Sequence, residues 1–168
     1  PGQSSPVIQG DLLVITALED GKQLVTLAFD KVSGKQRWRK PAPECTLEKV
    51  HKAGSPAAST PYVDMNRVYV YFGSFGLLCY DHGGKEIWKK AYGQTYSDDG
   101  FGAGPRCTPL FDGELIYVQT CRGKLSCLRV RDGSIVWSLD YQKKFNEITH
   151  EPMNETTMVR YRFVRTFN

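Results

Sequence analysis

The fold is decided by the stretch LAFDKVSGKQRW, residues 27–38. It predicts a β-strand, a tight turn built on Asp and Gly, and a second strand that ends on Trp38. The pattern returns at residues 80–88 (YDHGGKEIW) and at residues 127–137 (CLRVRDGSIVW). The three tryptophans, which are all that the chain contains, stand 50 and 49 residues apart. A period near fifty residues with turn chemistry inside it indicates a repeat architecture.

Each copy of this stretch completes a unit of four short predicted strands. The units cover about residues 4–39, 59–89 and 107–139. Each unit opens on a proline, which cannot donate to a strand ladder and is tolerated where a strand begins. No helical period of ten or more residues interrupts the units. A four-stranded antiparallel meander of about fifty residues is the size of one propeller blade, so we predict an all-β, partial β-propeller of about three blades within residues 4–139.

The repeat is lost after Leu139, and we predict that residues 140–168 form a connection and a possible extra strand. The connections between units are long, at about residues 40–58 and 90–106, and long loops are usually functional or packed. The strand order places these connections on one face of the propeller, together with the turns between second and third strands. We expect any ligand to bind there. The candidate residues on these loops are His51, Lys52, Asp98, Asp99 and Arg106.

Composition excludes several classes of protein. The net charge of +4 is small and dispersed, so no nucleic-acid partner is expected, and the arginines at 160, 162 and 165 are interpreted as a solvated strand face. No apolar run approaches the roughly 18 residues of a membrane helix. No signal peptide is visible and the first residue is Pro1 rather than Met, which suggests a fragment or a processed chain.

The five cysteines include no C-x-x-C pair, which argues against a zinc site or a redox dithiol. Cys79 and Cys127 align with Ala28, and we interpret them as small core residues. A disulfide between Cys45 and Cys107 is left open. A hydrolase is not favoured because no G-x-S-x-G elbow is present, and the Gly-His and Trp-Asp signatures of WD-type propellers are absent.

The first unit resembles the tryptophan-docking motif of the pyrroloquinoline-quinone (PQQ) type propeller repeat, through Ala28, Asp30, Gly34, Lys35 and Trp38. The resemblance implies that the tryptophan stacks between neighbouring blades, while the Asp and the Gly-Lys turn hold the corner between two strands. The second unit retains Asp81, Gly84, Lys85 and Trp88, with a turn one residue shorter. The third retains Gly133 and Trp137 but has Arg129 and Ser134 in place of the Asp and the Lys.

The resemblance allows two functions. Some members of this family are PQQ-dependent alcohol or sugar dehydrogenases, which use calcium, a carboxylate base and often a vicinal disulfide. Others are non-catalytic propellers, including outer-membrane assembly lipoproteins. This chain has no adjacent Cys-Cys pair and no Asp/Glu/Asn set that matches the calcium and base positions, so we assign no catalytic, cofactor-binding or metal-binding residue.

The sequence therefore favours a non-catalytic binding or scaffold segment with no cofactor of its own. The resemblance implies that it belongs to an exported, periplasmic or cell-surface protein. The alternative is a fragment of a PQQ-dependent quinoprotein dehydrogenase whose catalytic blades lie outside the chain, with PQQ and calcium as its cofactors. The expected partners are proteins or the remaining blades. Three blades leave open sheet edges, so we expect the chain to be part of a longer propeller. If it stands alone, we predict that it oligomerises through those edges or rearranges.

Overall fold

A computed structural model of the protein describes residues 2–48, 50, 54–92, 108–119 and 124–140. Within these ranges the chain consists of twelve β-strands and no helix. The strands form three antiparallel sheets of four strands each, and within a sheet each strand pairs with the strands next to it in sequence. The all-β, partial propeller of about three blades is confirmed. The predicted extra strand at the end of the chain lies outside the described residues.

Each sheet is one blade, numbered in chain order. Blade 1 consists of β1 (Val7–Gln9), β2 (Leu12–Glu19), β3 (Gln23–Asp30) and β4 (Gln36–Pro41). Blade 2 consists of β5 (Tyr62–Val63), β6 (Arg67–Phe72), β7 (Gly76–Asp81) and β8 (Glu86–Ala91). Blade 3 consists of β9 (Leu110–Asp112), β10 (Leu115–Gln119), β11 (Lys124–Arg129) and β12 (Ile135–Asp140).

A β-bulge recurs at one position in every blade. The register between third and fourth strands shifts immediately after Ala28, Cys79 and Cys127. Each of these small residues lies directly opposite the tryptophan of the fourth strand. A bulge adds one unpaired residue and increases the local twist. Each docking tryptophan therefore lies at the last regular pair before the bulge.

Blade 2 is the centre of the described molecule, since both of its faces are covered. Val68, Val70 and Phe72 pack towards blade 1, whereas Tyr69 and Tyr71 pack towards blade 3. Alternate side chains of one strand point to opposite faces of a sheet. The two apolar clusters are therefore the two junctions between blades. The continuous apolar run in β6 reflects a strand that is buried on both sides.

The outer faces of blades 1 and 3 have no neighbouring blade among the described residues. In blade 1, alternate residues of β2 are only partly buried. In blade 3, Ile135 and Trp137 of β12 are 44% and 43% exposed. In the described part of the chain, no helix is long and apolar enough to cross a membrane.

Candidate functional site: the junctions between blades

The corner between third and fourth strands, here called the docking turn, has the same main-chain hydrogen bonds in all three blades. In blade 1 the Asp30 N–H donates to the Lys35 carbonyl (2.8 Å) and the Gly34 N–H to the Asp30 carbonyl (2.9 Å). In blade 3, Arg129 and Ser134 form the equivalent bond at 2.9 Å. The residue after the glycine contributes its carbonyl oxygen, which every residue type has. Ser134, which stands where the other two blades have Lys, therefore leaves the corner intact.

The glycine of each docking turn has a backbone conformation that other residues rarely adopt. The φ angles of Gly34, Gly84 and Gly133 are +68°, +81° and +69°. An L-residue in this left-handed region is strained because its Cβ approaches the following carbonyl. Glycine avoids that strain.

The tryptophan of one blade lies on the docking-turn glycine of the next blade. A Cβ added at Gly84 would come within 2.8 Å of the Trp38 ring, and one added at Gly133 within 2.7 Å of Trp88. Real Cβ atoms essentially never make such contacts. Glycine is therefore required at these two positions for a second reason: the neighbouring indole occupies the space that a Cβ would need.

The same tryptophans donate a hydrogen bond across each junction. Trp38 Nε1 donates to the His82 carbonyl at 2.8 Å, and Trp88 Nε1 donates to the Val130 carbonyl at 2.9 Å. Both acceptors stand one residue after the start of the docking turn. Each ring is only 9% exposed, so the indole N–H is satisfied where water is largely excluded. These acceptors are main-chain atoms, and no side-chain pattern in the sequence identified them.

Carboxylates stabilise the docking turns, but not from one fixed position. Asp30 accepts hydrogen bonds from the Ser33 and Val32 N–H groups and pairs with Arg37 at 2.5 Å. The Ser33 N–H, followed by Arg37, holds the Asp30 pKa well below its usual range. In blade 2, Asp81 Oδ1 accepts from the Lys85 N–H at 2.8 Å.

Blade 3 obtains the same stabilisation from a different residue. Arg129 stands where the other blades have Asp, and Asp132 Oδ1 accepts from the Ser134 N–H at 2.9 Å instead. Hydrogen bonds from Ser134, assisted by Arg131, lower the Asp132 pKa to about 2. The Asp-Gly pair at 132–133 is a turn signal visible in the sequence. It could have identified this replacement.

A cleft of about 320 Å³ lies between blades 2 and 3. Its lining includes Arg67, Arg129 and Arg131 with the acidic residues Asp64 and Glu114. Arg67 Nη1 donates to the carbonyls of Val130 (2.7 Å) and Arg131 (3.0 Å), and so ties the two blades together.

Among the described residues, the Arg129 side chain makes no hydrogen bond or ion pair, and it is exposed. The cleft therefore presents an exposed guanidinium where the docking turn of blade 3 faces the β5–β6 turn of blade 2. Such a group is suited to binding a carboxylate or a main-chain carbonyl of a partner.

A buried carboxyl group lies in the first connection between blades. The Glu48 side chain is 7% exposed, and its Oε2 atom has no hydrogen-bond partner in the described part of the chain. Burial raises the Glu48 pKa to about 8. The Glu48 N–H donates to Ser74 Oγ at 3.1 Å, which holds the connection against the β6–β7 turn. Sequence analysis did not single out Glu48, because nothing in its neighbours indicates burial.

The predicted ligand-face residues lie outside the described residues: His51, Lys52, Asp98, Asp99 and Arg106. In the part of the chain that is described, no group of three or more His, Cys, Asp or Glu side chains could hold a metal ion. Cys45 is a free thiol, and its possible partner Cys107 lies outside the described residues. Cys79 and Cys127 are fully buried opposite tryptophans, which confirms their interpretation as core residues.

The fold and the repeated docking turns define a PQQ-type β-propeller. A family model described as outer membrane protein assembly factor BamB matches residues 74–167, more than half of the chain. The chain therefore belongs to this family. The resemblance to the PQQ-type propeller family is confirmed.

Solved structures show the same fold at low sequence identity. BamB from Moraxella catarrhalis is 20% identical with a TM-score of 0.54, over 82% of this chain and 36% of that one. A europium-containing methanol dehydrogenase is 16% identical with a TM-score of 0.55, over 79% of this chain and 23% of that one. The quinohemoprotein alcohol dehydrogenase from Comamonas testosteroni is 15% identical with a TM-score of 0.54, over 83% of this chain and 21% of that one.

The chain thus spans little more than a third of BamB and less than a quarter of the two dehydrogenases. No curated protein sequence matches it.

Proposed function

We propose that this chain is a non-catalytic segment of a PQQ-type propeller that serves as a protein-binding scaffold in an exported protein. The observation that carries the proposal is the use of the repeated motif. Trp38 and Trp88 pack on the glycines of the next blade, and the turn carboxylates accept hydrogen bonds from N–H groups of their own turns. These polar atoms therefore do not converge on a space where a substrate could react. The family model that matches the chain is described as an outer membrane protein assembly factor, and this description supports the same function.

Within this proposal, the docking turns supply rigidity. Trp38 and Trp88 each join two blades through a ring contact and a hydrogen bond. A binding surface made from rigid elements loses less conformational entropy when the partner binds. The cleft between blades 2 and 3 is the surface that we assign to the partner, because Arg129 and Arg131 are exposed there.

The proposed partner is a protein component of outer-membrane assembly, and the proposed compartment is the periplasm or the cell surface. A photo-activated cross-linking residue in place of Arg129, introduced into the full-length protein in its own cells, should yield a discrete protein adduct. The matched control replaces Lys22, an exposed residue on the β2–β3 turn of blade 1. Equal labelling from both positions would contradict the assignment of the cleft. Fractionation of the same cells tests the compartment.

The competing function is a fragment of a PQQ-dependent dehydrogenase, and the likeness to the methanol and alcohol dehydrogenases is the observation that favours it. Titration of the full-length protein with PQQ and calcium separates the two functions. The scaffold proposal expects neither stoichiometric quinone absorbance nor dye-linked oxidation of alcohols or sugars. A stoichiometric spectrum accompanied by turnover would replace it with the dehydrogenase.

A further inference from the structure

The first connection between blades packs across the junction of blades 1 and 2. Its described part, residues 42–48, has no regular secondary structure after β4 ends. Ala42 is anchored to blade 1, because its N–H donates to the Leu24 carbonyl at 2.8 Å. Further along, Cys45 and Leu47 pack against the apolar cluster that blades 1 and 2 share. The segment therefore covers part of that cluster.

Few hydrogen bonds hold this cover in place. Among the described residues, the segment 43–48 makes one hydrogen bond to the rest of the protein, from the Glu48 N–H to Ser74 Oγ at 3.1 Å. Ser74 lies in the β6–β7 turn of blade 2 and is 8% exposed. Segments with few hydrogen bonds and no strand pairing open locally at a lower free-energy cost than paired strands do. The segment can therefore open while the blades stay folded.

The residue that makes this hydrogen bond also buries a carboxyl group. The Glu48 side chain is 7% exposed, and its Oε2 atom has no hydrogen-bond partner in the described part of the chain. Burial of an isolated carboxylate costs far more free energy than burial of the neutral acid. The closed segment therefore favours protonated Glu48, whereas an open segment returns the carboxyl group to water.

No cation compensates this carboxyl group from the described elements that pack against it. The β6–β7 turn contributes Ser74, which has no charge. The connection contributes Glu44, which is exposed, and the Cys45 thiol, which is electrostatically coupled to Glu48. Both are acids, so neither stabilises ionised Glu48, and burial raises the Glu48 pKa to about 8. The next titratable residues along the chain lie outside the described residues: Lys49, His51 and Lys52.

We propose that Glu48 is a pH-operated latch for the first connection. With Glu48 protonated, the segment stays closed on the β6–β7 turn. Ionisation of Glu48 releases the segment beyond Ala42 and uncovers Ser74, while the strands of blades 1 and 2 remain paired. The latch belongs to two blades and the connection between them, so it operates in the same way in a scaffold and in a dehydrogenase.

The direction of the pH response follows from proton binding. The closed segment retains the Glu48 proton up to about pH 8, and in the open segment the pKa returns to the ordinary value of 4.5. Between these two values opening releases one proton, so the open fraction rises by up to about tenfold for each pH unit. Below about pH 4.5 and above about pH 8, both forms have the same protonation and the open fraction is constant.

Millisecond hydrogen exchange of the full-length protein, read by mass spectrometry between pH 5 and pH 9, measures the opening. The relevant amide is that of Glu48, whose N–H is bonded to Ser74. After correction for the intrinsic effect of pH on exchange, its protection should fall about tenfold or more between pH 6 and pH 8 and then level off. The amides of β3 and β7 should keep their protection.

Three variants assign the response. Glu48→Gln is neutral at every pH, so protection at position 48 should no longer depend on pH. Glu44→Gln changes an exposed acid on the same segment and should retain the full response. Ser74→Ala removes the hydrogen bond to Glu48, so it should lower the protection by a similar factor at every pH without removing the response.

Three results would overturn the proposal. The first is protection of the Glu48 amide that does not change with pH in the unmodified protein. The second is a response of equal size in Glu48→Gln, which would assign it to another titratable group such as His51. The third is a parallel loss of protection in β3 and β7, which would show unfolding of the blades. The first and third need only the unmodified protein, so they decide the question even where a variant does not fold.

Discussion

Trp88 and Trp137 share a local structure but differ in their surroundings. Both lie opposite a buried cysteine, and both have a tyrosine ring nearby, at 6.2 Å for Tyr69–Trp88 and 6.1 Å for Tyr117–Trp137. The interplanar angles are 50° and 51°. Yet Trp88 is 9% exposed and donates to the next blade, whereas Trp137 is 43% exposed.

The comparison separates two contributions to one motif. Pairing within the blade orients the ring, since the bulge, the small opposite residue and the tyrosine are the same in both blades. The next blade decides whether the ring is buried and whether its N–H is satisfied. Repeat proteins gain stability from interfaces between neighbours as well as from each unit. The same tryptophan should therefore have unequal effects on stability at the two positions.

The largest expected effect is at Trp88. Trp88→Ala removes a buried ring at a closed junction and should lower the free energy of unfolding by about 3–5 kcal/mol. Trp137→Ala removes a half-exposed ring and should cost about 1 kcal/mol or less. Urea denaturation in dilute solution, where self-association does not contribute, measures both. Equal losses would mean that the junction adds nothing to the burial of Trp88.

Alanine at the docking glycines should produce the next largest effect. Gly133→Ala combines a positive φ with a Cβ at 2.7 Å from Trp88, whereas Gly34→Ala has only the positive φ. We expect about 1–2 kcal/mol for the backbone strain alone and an additional 1–3 kcal/mol for the steric conflict at Gly133. The difference between the two variants in dilute urea denaturation isolates the junction. A difference near zero would show that the indole moves aside without cost.

The junction between blades 1 and 2 contains a pH-sensitive group, Glu48. Its pKa is raised to about 8 from an ordinary value of 4.5, because burial disfavours the charged form. Stability from this group is complete below about pH 4.5, decreases as the pH rises towards 8, and then stays constant.

Glu48→Gln should therefore match the unmodified chain near pH 4 and exceed it at pH 9 by about 1 kcal/mol, a value reduced for partial solvent screening. Thermal unfolding at both pH values measures the change. Glu44→Gln, an exposed acid on the same connection, is the control. An unchanged pH profile in Glu48→Gln would contradict a neutral Glu48.

The smallest effect should come from the carboxylates of the docking turns. Asp132→Asn weakens the hydrogen bonds with Ser134 and should lower the melting temperature slightly at pH 7. The Asp132 pKa is lowered to about 2, so its contribution is present above about pH 3.8 and is lost as the pH falls through about 2. Below that pH the variant and the unmodified chain should unfold together. A deficit that persists in acid would show that the carboxylate charge is not its cause.

The fold could be predicted because its signals are local. Glycine is required where φ is positive, Asp favours the turn, and strands alternate between apolar and polar residues, so each blade is visible in a short stretch of sequence. By the motif alone, the turn of blade 3 lacks its carboxylate, because Arg129 stands where the other blades have Asp. In the structure the carboxylate of Asp132 compensates, because the turn requires an acceptor near its N–H groups rather than at one position.

The candidate site was less predictable, because its partners come from distant parts of the chain. The indole acceptors His82 and Val130 are main-chain carbonyls 44 and 42 residues from their donors. In the sequence, Glu48 is one acidic residue in a polar connection. It is buried only because that connection packs against the turn that contains Ser74. Burial depends on what lies across a junction. That information is not carried by neighbouring residues.

The sequence by itself determined that the chain repeats, that each repeat is a four-stranded blade, and that glycine and tryptophan occupy equivalent places in every blade. The periodicity of apolar side chains and the turn preferences of Gly and Asp are sufficient to predict these features. Only the tertiary structure decided that Trp38 and Trp88 pack on the docking turn of the next blade while Trp137 is 43% exposed. It also decided that no atom lies within 4 Å of a Cβ added at Gly34. The physical reason is that an apolar ring and its N–H gain stability only from a surface that removes them from water, and that surface belongs to the next blade.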